Sequence, residues 1–479
     1  MGTSLPPRSD TTSSTIAPLP LSADGIEKFR SSLHGPLLAP NSPGYDQART
    51  IWNAMIDRHP GLIVRCTEVS DVVQAVRFAR DNRMTLAVRG GGHNIAGTAL
   101  CDGGLCIDLT PMRAVHVDPL TRTARVGAGA TLADFDRDAQ AHALATPLGI
   151  NSTTGVAGLT LGGGFGWLSR RFGLTIDNLI SADMVLANGD VVRASESDHP
   201  DLFWAIRGGG GNFGIVTSFE FKLHEVGPQV LSGLVVHPLD AAGDVLRFYR
   251  EFMPKTPEEY VTWFVMRKAP PLPFLAPEWH GKEILALAIC YSGQDLDEGA
   301  RIAAPLRSFG HPIADVVGPT PYTDWQQVLD PLLTPGMRNY WKSHNFTKLS
   351  DGLIDTLISF ARRIPDPQTE IAFAQIGGAT TRVPSDATAY AHRDAQFVLN
   401  VHGRWADAAK DEECIGWARE LFKAAAPFAS AGAYVNFLTQ EETDRVRSAY
   451  GDNYVRLAGI KAKYDPENLF HGNQNIAPQ

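Results

Sequence analysis

The stretch Leu86–Gly97, LAVRGGGHNIAG, constrains this chain more than any other. An apolar run, Leu86 to Val88, ends at Arg89, and three glycines lead to His93 and Asn94. Glycine has no Cβ, so its backbone can approach a ligand closely. Successive N–H groups in such a turn form an anion nest that suits a diphosphate. His93 would then lie beside the rest of that ligand. A plain tight turn between two strands explains the same letters, and both readings stay open at this point. A Rossmann fingerprint is excluded, because the spacing is GGGH and no helical pattern opens at the third glycine. A Walker A loop is excluded because no Lys-Ser/Thr pair follows.

At 479 residues the length suggests roughly three ordinary domains. A net charge of −9, with no basic run, argues against a general nucleic-acid surface or an anionic-membrane surface. No apolar stretch is long enough to cross a bilayer. The N-terminus, MGTSLPPRSDTTSSTIAPLPL, lacks a basic n-region, an apolar h-region and a twin arginine. It reads as a flexible tail, taken as residues 1–38, and the protein as cytoplasmic. The five cysteines show no C-x-x-C spacing, so neither a disulfide framework nor a metal site is expected. A homodimer stays open.

In chain order, a short helix is expected at Ile26–Leu33 and a strand at Gly61–Arg65. Ser70 is expected to cap an amphipathic helix through Ala79. Strands Thr85–Val88 and Gly104–Leu109 flank the glycine turn, making a small α/β unit with the turn at its edge. Strands Val115–Val117 and Thr123–Val126 follow, then a helix Leu132–Ala143 after Thr131. The segment Gly149–Asn178 holds a second glycine triple, Gly162 to Gly164. Glycine this dense is costly in ordinary helix or strand, so a backbone lying against a long ligand is expected. A hairpin crosses Asn188-Gly189-Asp190, between Ala182–Ala187 and Val191–Ala194. A third cluster, IRGGGGNFGIV, precedes a strand at Thr217–Leu223.

From Val226 the glycine clusters stop. Strands are read at Leu231–Val236, Thr262–Arg267, Leu285–Tyr291, Ile313–Val317, Glu370–Ile376 and Gln396–His402. Helices are read at Ala242–Phe252, Leu296–Phe309, Leu353–Arg362 and Ala406–Ala424, with a Pro-rich connection after Val317. This alternation fits an antiparallel sheet backed by helices. At the end, a helix Val455–Lys463 stops before Tyr464-Asp465-Pro466, and a polar tail follows. That tail either buries itself against a ligand or is solvated.

Four segments together resemble one family. They are VRGGGHN (Val88 to Asn94), GVAGLTLGGGFGWLSRRFGLTIDNL (Gly155 to Leu179), DLFWAIRGGGGNFGIVTSFEF (Asp201 to Phe221) and KYDPENLFHGNQNI (Lys463 to Ile476). The chain resembles FAD-linked oxidases of the vanillyl-alcohol-oxidase fold, in the berberine-bridge-enzyme-like branch, near its 6-hydroxy-D-nicotine-oxidase-like bacterial members. The resemblance implies an α+β fold with two α/β FAD-binding subdomains of the PCMH type and an antiparallel-sheet substrate domain. The implied bounds are 39–225 for FAD, 226–430 for substrate, and 431–479 as a segment returning to the FAD domain.

The same resemblance implies FAD contacts from Arg89, Gly90, Gly91, Gly92, Asn94 and Gly97. It implies a covalent bond from His93 to the flavin 8α-methyl. Further contacts are implied from Asn151, Thr153, Thr154, Gly155 and Gly158; from Gly162, Gly163, Gly164, Gly166 and Trp167; and from Asp177 and Asn178. Gly214, Ile215, Val216, Asn473, Gln474 and Asn475 complete the set.

Three departures shape the expected chemistry. Doubly tethered members carry a cysteine where Asn151 stands, so a single tether through His93 is expected. Alcohol-oxidising members use two tyrosines to take a proton, and Phe165 and Phe437 stand at those places. Phenylalanine cannot accept a proton, so that base is missing. Candidate catalytic groups, placed on substrate-domain strands, are Lys342, Gln375, Tyr434 and Asn436. Lys342 could equally be a solvated surface lysine, and Gln375 and Asn436 could equally bond backbone. The expected activity is hydride removal from a small amine, alcohol or sugar-like substrate, with O₂ reduced to H₂O₂. A dehydrogenase with another acceptor, or a flavin carrier without turnover, are the alternatives.

Overall fold

The computed structural model describes residues 21–430 and 432–479. Most of the expected tail, residues 1–20, lies outside the described residues. The rest of it is folded. Ser22 caps a helix Ala23–Ser31, whose Phe29 ring stacks on Phe78 at 3.9 Å. Strand Leu37–Leu38 then pairs with Leu62–Arg65.

Beside a two-stranded pair of Leu144–Ala145 with His224–Glu225, the first unit holds two larger sheets around one core. In the smaller, Leu62–Arg65 and Leu86–Arg89 both run parallel to Leu105–Asp108 between them. Leu86–Arg89 is therefore an edge strand, and the glycine turn leaves its C-terminal end. Helix Val69–Asp81 covers this sheet with Val72, Ala75, Val76 and Ala79. Ser70 does not cap that helix. Glu68 holds the cap position, while the buried Asp71 carboxylate takes the Thr67, His34 and Gly35 N–H groups.

The second sheet has five antiparallel strands, in the order Val115–Asp118, Thr123–Gly127, Ile215–Lys222, Leu179–Val185, Val191–Ser195. The expected hairpin across Gly189 is present. Helix Leu132–Gln140 begins where Thr131 predicts. The Thr131 hydroxyl accepts the Asp134 N–H at 3.3 Å, and the Asp134 carboxylate accepts the Thr131 N–H at 3.0 Å. The C-terminal helix Tyr454–Tyr464 and the tail that follows join this core through Leu457, Phe470 and Ile476. The tail is half-buried and anchored on this core at Phe470 and Ile476. Lys461 is fully buried and donates to Asn212 O, Asp465 and Phe470 O, and Ile476 N–H donates to Asn212.

The second unit is an eight-stranded antiparallel sheet. The expected strands are present with extended ends, as in Gln229–Pro238 and Phe397–Trp405. The expected strand Ile313–Val317 shrinks to Ala314–Asp315, followed by Gly318–Pro321. The strand that carries Lys342, for which no bounds were read, is Arg338–Phe346. Its sequence, RNYWKSHNF, carries polar residues on both faces, so the period-2 signal is masked.

Alternation along the strands divides the sheet into two faces. Phe264, Leu287, Phe373 and Leu399 pack against helices Ala242–Phe252, Leu296–Ser308, Asp351–Ala361 and Asp411–Ala425. Trp263, Ala288, Ala374 and Val398 point the other way and meet Phe165, Trp167 and Tyr434 of the first unit and the returning C-terminus. Between that face and the glycine turns lies one large cavity. None of the helices among the described residues is long and apolar enough to cross a membrane.

Candidate active site

The cavity has a volume of about 410 Å³. One wall is backbone-rich, built from Gly90 to Asn94, from Thr154, Gly155 and Gly158, from Gly210 and Gly211, from Gly214 to Val216, and from Asn473 and Gln474. The glycines here let main chains meet. A Cβ on Gly91 would stand 2.2 Å from Gly155 N. Gly158 sits inside the short helix Val156–Leu161, yet a Cβ there would meet nothing within 4 Å. That is an uncovered helix face on the cavity. Asn473 Oδ1, on this wall, is buried without a hydrogen-bond partner among the described residues. A long bare cleft with free backbone and an orphan acceptor fits a dinucleotide-sized cofactor such as FAD.

His93 stands where this cleft opens toward the sheet. Its ring stacks on Trp52 with centroids 5.0 Å apart, and its Nε2 lies 2.8 Å from Thr153 Oγ1. Burial disfavours the charged ring and pushes its pKa down to about 3, so the imidazole is neutral. Asn151 Oδ1 accepts both the Thr153 hydroxyl, at 2.7 Å, and the Thr153 N–H, at 3.1 Å.

Several expected cofactor residues do not face the cavity. Arg89 turns away and donates to Ala48 O. Gly97 packs against Ile56, where a Cβ would come within 2.7 Å. Gly162, Gly163 and Gly164 make room for Asn436, Tyr390 and Thr175 respectively, and a Cβ on Gly166 would lie 1.8 Å from Leu148 O. The second glycine triple thus serves close packing beside the site. Asp177 is held by Arg393 through two contacts of 2.8 Å. Asn178 bonds Phe172 O, Leu174 O and His224. Asn475 lies off the cavity wall, whereas Trp167 is on it, packed 4.5 Å from Trp263.

Strand parity corrects two of the four catalytic candidates. Lys342 lies on the helix side of its strand, opposite Val401 of that core. Its amine meets Glu441 at 2.7 Å and Glu442 at 3.1 Å, and it is 4% exposed. It is neither a cavity group nor a solvated lysine. Gln375 shares the parity of Ile371 and Phe373 and is absent from the cavity wall. Tyr434 and Asn436 do reach the cavity, but from the 3-10 turn Val435–Phe437 rather than a strand. The Tyr434 hydroxyl accepts from Gly164 N at 3.1 Å and from Asn436 Nδ2 at 3.0 Å. Burial outweighs those donors and lifts its pKa to about 12, so it keeps its proton.

The sheet also brings in groups that were not foreseen. Register aligns Trp341, His402, Glu370 and Arg267 in one row across four strands. All four line the cavity. Glu370 Oε1 lies 3.1 Å from His402 Nδ1, and Oε2 takes Arg267 Nη1 at 2.6 Å. Burial alone would raise the Glu370 pKa. Arg267, His402 and Arg404 reverse this and hold it at about 2. Burial pulls the His402 pKa down despite Glu370. Trp341 Nε1 and Asn400 Oδ1 are buried without a hydrogen-bond partner among the described residues. Trp52 was missed because a single tryptophan carries no pattern. The clue to Gly210 and Gly211 was the third glycine cluster itself.

Residues 60–195 match the FAD binding domain family, and residues 433–477 match the family described as berberine and berberine like. An FAD-linked oxidoreductase of Bacillus subtilis is 32% identical, covering 94% of this chain and 98% of its own. The (R)-6-hydroxynicotine oxidase of Paenarthrobacter nicotinovorans is 31% identical over the same shares. The crystal structure of 6-hydroxy-D-nicotine oxidase from Arthrobacter nicotinovorans superposes with a TM-score of 0.83 at 29% identity, over 94% of this chain and 99% of that one. A glycine-floored cleft, a returning C-terminal segment and these full-length matches lead to one conclusion: the chain is an FAD-dependent oxidoreductase and belongs to the berberine-bridge-enzyme-like family.

Proposed function

We propose that the protein is an oxidase of a small, largely apolar organic molecule, with an amine as the favoured class and dioxygen as the acceptor. The single observation that carries this reading is the continuity of the cavity. One space runs from the glycine wall, past His93, to the face of the eight-stranded sheet. In this reading residues 39–225 and 431–479 hold FAD, and residues 226–430 supply the substrate side. FAD, when bound, supplies the hydride acceptor and the route for two electrons to dioxygen.

The chain's own residues do the rest. Phe165, Trp167, Trp263 and Phe437 give the substrate side an aromatic wall that excludes water. Trp341 Nε1 can donate to a substrate and Asn400 Oδ1 can accept from one, and leaving either unpaired in the complex would be costly. An alcohol needs a base for its O–H proton. Among the described cavity groups, Glu370 has both oxygens engaged and a pKa of about 2, His402 has its two ring nitrogens against Glu370 Oε1 and Asn339 Oδ1, and Tyr434 holds its own proton. A neutral amine needs no such base. The curated relative named for 6-hydroxynicotine supports this class as an analogy.

The test is H₂O₂ release in air across a panel of amines, alcohols and sugars, with flavin bleaching followed without oxygen. Amines are expected to turn over with a pH profile that follows the substrate's own ammonium ionisation. Bleaching with very slow reoxidation in air would replace the oxidase by a dehydrogenase. No bleaching by any compound would favour a flavin carrier.

A further inference from the structure

We infer that Thr153 and Asn151 are positioning residues that fix the tautomer of His93 and so select its Nδ1 as the atom that bonds the flavin. This rests on the proposal that FAD occupies the cleft, and it concerns how this chain prepares its tether.

The argument is one of hydrogen-bond bookkeeping. Thr153 N–H needs an acceptor, and Asn151 Oδ1 lies 3.1 Å away, which settles which end of the Asn151 amide faces Thr153. The other end, Nδ2, points to Leu333 O at 3.4 Å. With Oδ1 so placed, the Thr153 hydroxyl spends its only proton on it, at 2.7 Å. Thr153 Oγ1 therefore offers only lone pairs to His93 Nε2, 2.8 Å away. The neutral imidazole must carry its proton on Nε2 and its lone pair on Nδ1. Trp52, stacked on the ring, restricts its rotation, and Trp52 Nε1 is itself anchored on Leu333 O at 3.1 Å. Leu333 O thus receives both Trp52 and Asn151, tying ring plane and tautomer to one carbonyl of the substrate unit.

The attachment balances as follows. The 8α-methyl carbon loses one hydrogen and gains a bond to Nδ1, and the imidazole releases its Nε2 proton. The electron pair left on the flavin passes with the two protons to dioxygen, giving H₂O₂. The Thr153 hydroxyl can then turn to donate to the bare Nε2. Asn151 acts on the tether through Thr153, whose hydroxyl proton it holds.

The test uses the full-length protein and its variants, saturated with FAD in air. FAD affinity is measured first. The fraction of flavin that stays with the acid-precipitated polypeptide is then followed over time. Wild type and Thr153→Ser should attach flavin alike. Thr153→Val and Asn151→Leu should bind FAD but attach it about tenfold more slowly or worse, the effect of losing one orienting hydrogen bond. NMR of the isolated flavin peptide should show substitution at Nδ1. Attachment by Thr153→Val at the wild-type rate, substitution at Nε2, or flavin released from wild type by acid would each overturn the inference. Failure of wild type to bind FAD at all would instead overturn the reading beneath it. If Thr153→Val fails to fold, the Thr153→Ser and Asn151→Leu pair and the NMR assignment still decide.

Discussion

Glu370 faces His402 directly across paired strands, with Oε1 3.1 Å from Nδ1, and the same carboxylate grips Arg267 at 2.6 Å. This row of the sheet is a buried ion pair set into the cavity wall. Removing one partner strands the others. Glu370→Gln is expected to destabilise the protein by ~3–5 kcal/mol in denaturant unfolding, since Arg267 and Arg404 lose their counter-charge. The folded pKa, about 2, lies below the ordinary carboxylate value. The Glu370 contribution should therefore be full above the unfolded pKa of about 4 and vanish as pH falls toward 2. The Gln variant should lack that acid dependence.

Asp136 should act in the opposite sense. It is buried on helix Leu132–Gln140, with Gln326 Nε2 at 3.0 Å as its hydrogen-bond donor. Burial, only partly offset by Gln326, pushes its pKa up to about 7. The folded state therefore holds a proton that the unfolded state releases near pH 4. Its contribution is present at low pH and fades as pH rises through about 7. Asp136→Asn is expected to remove this loss and to be more stable than wild type at pH 8 by a few kcal/mol, measured by urea unfolding at several pH values.

Lys342 and Asp177 should behave as structural residues. Lys342→Met leaves the buried Glu442 with Arg445 alone and the half-exposed Glu441 with Arg419, and should cost ~1–3 kcal/mol in stability. Asp177→Asn breaks the double contact with Arg393, whose side chain is 3% exposed, and should cost ~3–5 kcal/mol. For both, turnover per folded, flavin-loaded molecule should stay within about twofold of wild type when these changes touch no substrate atom. A larger loss in kcat with unchanged stability would show that the assignment is wrong.

Gly158 offers a test with two signs. It lies in a helix, and the space above it is open. Gly158→Leu should raise the stability of the FAD-free protein by up to ~1 kcal/mol through helix propensity. It should also weaken FAD binding by about tenfold or more, because the added side chain fills cofactor space. Calorimetry without FAD and flavin titration separate the two effects.

The letters of the chain determine a good deal by themselves. Gly90–Gly91–Gly92 before His93 requires a backbone that meets another surface, and Thr131 with Asp134 specifies a helix start. The residues alone indicate a backbone made for close approach, and the resemblance of four segments to an FAD-linked family implied the cofactor class and the α+β architecture. What tertiary structure decided was which way side chains point. Lys342 and Trp341 are neighbours in sequence, yet strand alternation sends one to the helix core and the other to the cavity. The same rule removes Gln375 and brings in Glu370, which meets Arg267 and His402 only through register between distant strands. The second glycine triple was legible as close approach, but only the packed chain shows that Asn436, Tyr390 and Thr175, rather than a ligand, come close. Local chemistry is written in single residues. The direction of a side chain depends on strand parity and pairing, which are properties of the assembled sheet.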